Sequence, residues 1–300
     1  MLLHNASASI VRPGDLGVIP HRRLLLIFAF LSTGAPAQWL NYPTPGTPRT
    51  ADGKPNLAAP APRSANGKPD LSGTWHAETS SLEEMKRLFG SNVIDSALPL
   101  SVPGMELDTV SKYAVNVLLD FQPQDSPMRP EAAETFRRRA TGVESREVCM
   151  PLGIPLAGLV SEATKIVQSP RTIVVMYESD GTHRQIYTDG RGLPKEIVQP
   201  SWLGYSAGKW EHDTLVVESA GFNDKTWLDV IGHPHSEALH MLERYHRRDF
   251  GHMDVEVTFD DPQMYIKPFT IKFIYDLLAD SDVFENICEN EKDRAHTGHN

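Results

Sequence analysis

From Cys149 onward the chain alternates apolar and polar residues with a period of two. In "MDVEVTF", Met253, Val255, Val257 and Phe259 fall on one side and Asp254, Glu256 and Thr258 on the other. That is the pattern of a strand with one face buried and one face wet. "YIKPFTIKFIY" sets Tyr265, Phe269, Ile271, Phe273 and Tyr275 on one face, with Lys267 among them, and "LERYHRRDFGH" opposes His240, Leu242, Arg244 and His246 to Met241, Glu243 and Tyr245. "KIVQSPRTIVVMYE" breaks at Pro170, while Asp180-Gly181 and Asp189-Gly190 are turn signals around a strand from His183 to Thr188. "GYSAGKWEHDTLVVESAGF" reads as a hairpin turning at Glu211 to Asp213, "DVFENICEN" supplies a last strand, and "LSGTWHAE" supplies a first one well upstream.

Between the first strand and the rest the period changes to that of a helix. "SSLEEMKRLFG" offers Ser80 or Ser81 as an N-cap and Gly90 as a stop. "DTVSKYAVNVLLDF" places Val110, Ala114, Val117 and Leu118 on one stripe. "RPEAAETFRRRATG" begins with Pro130 in its first turn and ends in basic residues, as the helix dipole prefers. The expected fold is α+β and mainly β: an antiparallel barrel or strongly bent sheet of about nine or ten strands, with a helical insert at 79–142 after the first strand. A barrel of that size encloses a cavity rather than a water channel.

The ends of the chain read differently. "HRRLLLIFAFLSTGAPA" has two arginines, an apolar run from Leu24 to Leu31 and the small-residue pattern Ala35-Pro36-Ala37, so 1–37 reads as a secretory signal. The run is well short of the ~20 residues needed to cross a bilayer. Residues 38–70 form an extended leader dense in proline and glycine, in which "PRTADGKPNL" from Pro48 recurs as "PRSANGKPDL" from Pro62. The barrel-like domain covers 71–292, and the polar tail 293–300 is expected to be disordered.

Composition narrows the function. With 29 basic against 39 acidic residues and a net charge of −10, the chain lacks the basic face that neutralises phosphates, so nucleic acid is excluded as a partner. Cys149 and Cys288 are its two cysteines. An exported chain meets an oxidising compartment, and a disulfide joining them is expected.

The candidate chemistry gathers in "GFNDKTWLDVIGHPHSEALH". His233 and His235, two apart on an extended segment, could share one metal, with Glu237 or His240 as a third ligand. Without metal, His233 or His235 could act as acid and base, oriented by Asp229 or Asp224. The plainer alternative is that these groups order a loop. Asn223, Asp224, Trp227 and His240 are candidate pocket-mouth residues. "GYSAG" at 204–208 matches the serine-hydrolase pattern Gly-x-Ser-x-Gly, but Ser206 leads into a hairpin and not the strand–turn–helix a nucleophile elbow requires. An inward Arg244 would bind a ligand; an outward one would pair with a surface acid. Arg184 and Tyr187 carry the same ambiguity, because alternation alone does not say which face is inside.

Two resemblances bear on this. "LSGTW" resembles the Gly-x-Trp of the first strand in calycins, the lipocalin and fatty-acid-binding-protein group, which implies a barrel with the tryptophan sealing one end. "GYSAGKWEHDTLVVESAGFNDKTWLDVIGHPHSEALHMLERYHRRDFGHMDVEVTFDDP", with the "PRTADGKPNL" leader, resembles a family of secreted bacterial proteins abundant as paralogues in acidobacterial soil bacteria. That resemblance implies export and not an activity. The reading at this stage is an exported binder of a small, partly apolar molecule, with Tyr265, Phe269 and Phe273 lining a barrel pocket beneath the His-rich mouth. The alternatives are a hydrolase or isomerase working at that mouth, with or without metal, and a cell-envelope structural or interaction protein. No cofactor and no oligomeric state can be read from the residues.

Overall fold

Nine strands close on themselves in chain order in the computed structural model, which describes residues 42–90, 111–144 and 149–288. They are β1 (Gly73–Ala77), β2 (Thr164–Gln168), β3 (Thr172–Tyr177), β4 (His183–Tyr187), β5 (Tyr205–Glu211), β6 (Thr214–Ala220), β7 (His240–Arg247), β8 (His252–Asp260) and β9 (Phe269–Leu277). β9 pairs back onto β1 through Trp75 and Leu277, which closes the barrel. All described residues fall in one compact unit, Asn41–Asn300. The expected signal at 1–37 and the tail at 293–300 lie outside the described residues.

Alternation sets the inner face. Met241, Glu243, Tyr245 and Arg247 of β7, with Met253, Val255, Val257 and Phe259 of β8, are buried. Their registers, Tyr245 opposite Val255 and Glu243 opposite Val257, bring same-face residues level with one another. β9 adds Phe269, Ile271, Phe273 and Tyr275 to the same interior.

Two expectations about the strands need correction. The barrel is mixed rather than antiparallel: β4 and β5 run parallel, pairing at only Ile186–Ser206 and Tyr187–Ala207. A parallel neighbour requires a crossover of a dozen or more residues, and the irregular connection from Thr188 to Gly204 provides it. The described part of "DVFENICEN", 282–288, forms no strand; it lies across β3, where Val283 and Phe284 share a recess with Val174, Met176 and Tyr177. Cys288 at its end is bonded to Cys149, with Cα atoms 5.3 Å apart and 139 residues between them in sequence.

Three α-helices of the insert lie among the described residues. α1 (Leu82–Phe89) is capped by the Ser81 side chain, which accepts from Glu84 N at 3.1 Å, and it stops at Gly90. Along "DTVSKYAVNVLLDF", whose first three residues, Val110 among them, lie outside the described residues, the described part forms only the short α2 (Lys112–Val115). It ends there because the next two backbone donors go elsewhere: Val117 N donates to Asp229 Oδ2 and Leu118 N to the Asn116 side chain. α3 (Pro130–Ala140) starts at Pro130 as expected.

The two leader repeats fold alike. Thr50 N bonds Lys54 O and Ser64 N bonds Lys68 O, each at 2.9 Å, inside matching bridges Arg49–Pro55 and Arg63–Pro69. Each repeat's arginine then grips a different aspartate, Arg49 on Asp280 and Arg63 on Asp213. Where β7 turns into β8, Arg247 lies over the Trp75 ring at 4.8 Å and donates to the carbonyls of Asp70 and Phe250. Burial lowers this guanidinium to about 10. Trp75 is fully buried and donates its indole N–H to Leu71 O, so this end of the barrel is plugged.

Candidate functional site

The interior is packed, not hollow. Phe259 and Phe269 stack at 4.8 Å, Tyr265 meets Phe269 edge-on at 4.9 Å, and Phe273 meets Tyr275 at 5.3 Å. Tyr265, Phe269 and Phe273 are therefore core residues, and the expectation that they line a ligand void is corrected. A nine-stranded barrel is narrow enough for its own side chains to fill, and here the fill is largely aromatic. Lys267 lies outside, over the Phe121 ring at 5.4 Å.

One polar group crosses this interior. Arg184 of β4 donates from Nη1 and Nη2 to both carboxylate oxygens of Glu243 on β7, at 2.9 and 2.8 Å. Two strands of wall separate β4 from β7, so the pair spans the lumen. Tyr245 Oη donates to Glu243 at 2.7 Å, Ser219 Oγ lies 3.4 Å from the same carboxylate, and Ser206 Oγ lies 2.8 Å from Ser219 Oγ. Such a pair holds only when its hydrogen bonds are nearly all made. Burial alone would lower the Arg184 pKa, but the Glu243 charge outweighs it and holds the guanidinium well above its ordinary range. Burial pushes Tyr177 up to about 12 and Tyr245 well above its usual value, so both phenols stay neutral beside the pair.

The Arg184–Glu243 pair sits at the inner end of an opening in the wall. β4 pairs with β5 only through its last two residues, Ile186 and Tyr187, so its first half runs beside residues 201–204, ahead of the start of β5, with no strand partner on that side. The cleft between them holds a cavity of about 560 Å³. Arg184 and Ser206 form its floor; Tyr187, Trp202, Leu203 and Tyr205 form its sides, and Pro151 stands at its rim. Tyr187 and Tyr205 stack at 5.2 Å, and Arg191 covers the outer face of Tyr187 at 4.2 Å.

The lip carrying Trp202 and Leu203 is tied down on both sides. Ser201 N donates to Gly221 O, and Asn223 N donates to Ser201 O. Gly204 is needed in this lip. Its φ is +63°, and a Cβ there would stand 2.8 Å from Ala220 O and 2.9 Å from the Phe222 ring.

The His-rich segment does different work. Asp229 is fully buried. Its Oδ1 accepts from Gly232 N and His233 N at 2.9 and 3.0 Å, and its Oδ2 accepts from Val117 N at 2.9 Å and His233 Nδ1 at 2.5 Å. The His233 ring stacks on Phe136 of α3 at 4.3 Å. Asp229 and His233 thus converge as expected, but in a tether fastening the helical insert to the loop between β6 and β7. Neither lines the β4–β5 cavity.

His235 has other partners. Its Nδ1 faces Ser236 O at 3.2 Å and so carries the proton, which leaves Nε2 to accept from the Thr226 hydroxyl at 2.6 Å. Burial lowers its pKa and keeps it neutral. Among the described residues no group of three His, Cys, Asp or Glu side chains is arranged to hold a metal ion, so the His233–His235 pair lacks the third ligand the metal reading required.

The remaining candidates separate. Asn223 is half-buried below the lip, Asp224 is exposed, and Trp227 lies against the Arg139 guanidinium at 5.0 Å. His240 and Arg244 take the outer face of β7, where Arg244 pairs with Glu211 at 3.1 Å; the inward reading of Arg244 is corrected. Ser206 faces the interior and Ser219, with no histidine bonded to it. Trp202, Leu203 and Tyr205 were absent from the expected site. Their signal in the sequence is the aromatic content of "PSWLGY", in a stretch whose lack of periodicity marked it only as a connection.

Fold and cavity together define a closed, mixed nine-stranded barrel that is plugged at one end, packed inside, and open through its wall between two parallel strands. Compared with protein-family models, curated proteins and solved structures, the chain has no match.

Proposed function

We propose that this protein is an exported binder of a small, partly apolar molecule that seats between β4 and β5. The observation that carries the proposal is the 560 Å³ cavity, with aromatic and aliphatic sides and a buried polar floor. Ligand sites characteristically combine mostly apolar walls with a few fixed polar groups. Export is supported by the N-terminal pattern of basic, apolar and small residues. The Cys149–Cys288 disulfide also fits an oxidising compartment. Among the described residues no helix is long and apolar enough to cross a membrane.

The neutral, flat fluorophore propionyl-dimethylaminonaphthalene tests the site, because its emission moves to the blue when it leaves water. Saturable blue-shifted emission at one equivalent is expected, weakened about tenfold by joint replacement of Trp202→Ala and Leu203→Ser. Absence of binding, or binding indifferent to both substitutions, overturns the proposal.

A further inference from the structure

Arg184, which lines the cavity and has the Tyr177 phenol beside its guanidinium, keeps one donor that makes no hydrogen bond. Four of the five guanidinium N–H groups of Arg184 lie on the Nη atoms engaged with Glu243 and Tyr245, and the fifth lies on Nε. Nε is buried and has no hydrogen-bond partner. Arg184 is 4% exposed and lines the cavity. A buried N–H left unpaired is costly, and each one calls for a physical explanation.

We infer that the cavity takes an uncharged, flat molecule that presents a carbonyl oxygen to Arg184 Nε. Three observations select that class. First, the unmet need is for one acceptor, since the Nε atom has a single proton. Second, a carboxylate or phosphate is disfavoured: Glu243 already neutralises Arg184 through both oxygens, and a second anion at Nε would sit beside that carboxylate. Third, Trp202 and Tyr205, the latter backed by its stack on Tyr187, supply apolar surfaces against which a planar ring system packs well. Ser206 Oγ, bonded to Ser219, extends the polar floor on the β5 side.

This inference rests on the proposed binding role of the same cavity, and the test separates the two. Methyl naphthyl ketone, ethylnaphthalene and naphthoate share one ring and differ only in the group offered to Arg184. They are titrated as competitors of the fluorophore above. The ketone is expected to bind about tenfold more tightly than ethylnaphthalene, the worth of one hydrogen bond to a charged donor, and more tightly than naphthoate. A pocket with no free donor would show the reverse preference, because ethylnaphthalene is the more apolar of the two.

In the folded wild-type protein the ketone is also expected to shift the Arg184 Nε–H resonance, with ethylnaphthalene leaving it in place. Arg184→Lys keeps a cation for Glu243 but removes the Nε donor, so in that variant the preference for the ketone should vanish. Equal binding of ketone and hydrocarbon, or tightest binding of naphthoate, overturns the inference while leaving the cavity a binding site. Failure of all three probes and of the fluorophore overturns the binding role itself. The wild-type ratios and the Nε–H shift decide the matter even if the lysine variant does not fold.

Discussion

At the scale of single residues, buried charge is the most consequential feature. Glu243 is held by Arg184, Tyr245 and Ser219, and Glu243→Ala would leave the Arg184 guanidinium in the lumen without a counter-charge. The expected cost is about 3–5 kcal/mol in urea unfolding, whereas replacing both partners by apolar residues of similar volume should recover most of it. Recovery by Glu243→Ala alone would contradict the pairing. His235 gives a pH dependence of defined sign. Its folded pKa is lowered from 6.5 by burial, so below pH 6.5 the unfolded chain takes up a proton that the folded chain refuses. Stability should therefore fall as pH drops from 6.5 and level off below the folded value, and His235→Gln should flatten that part of the slope. The polar face of β7 was legible in sequence, with Glu243 and Tyr245 opposite Arg244. Which face pointed inward was not, because that depends on β6 and β8 and not on any residue of β7.

At the scale of elements, the β4–β5 contact matters most. Strands β6 to β9 could be read from alternation and hairpin signals because each pairs with its sequence neighbour. The parallel pair could not, since its register is set through a long irregular crossover that carries no period. The His-rich stretch drew attention by residue type. Its role as the fastening of α2 and α3 depends on contacts such as Val117 to Asp229 and Phe136 to His233, made between segments about a hundred residues apart in sequence. The lip of the cavity yields a test. Gly204→Val forces a β-branched residue into a positive φ against Ala220 O and Phe222. It should cost about 2–3 kcal/mol and weaken fluorophore binding. An unchanged melting temperature with unchanged binding would show that the lip conformation is unimportant.

At the scale of the whole molecule, the chain is a barrel fastened from outside. The leader repeats clamp Asp213 and Asp280, the Asp229 tether holds the insert, and the disulfide ties the segment before β2 to the segment after β9. Closing so long a loop is worth up to about 5 kcal/mol through the unfolded state. Joint Cys149→Ser and Cys288→Ser substitution should therefore lower the melting temperature substantially, and a change of only a degree or two would contradict that role. With the lumen full, ligand enters through the wall between β4 and β5. Amide NMR during titration with propionyl-dimethylaminonaphthalene tests it most directly. The largest shifts are expected on residues 183–187 and 201–206. Shifts centred on Phe259, Phe269 and Phe273, or on Asp229 and His233, would contradict it.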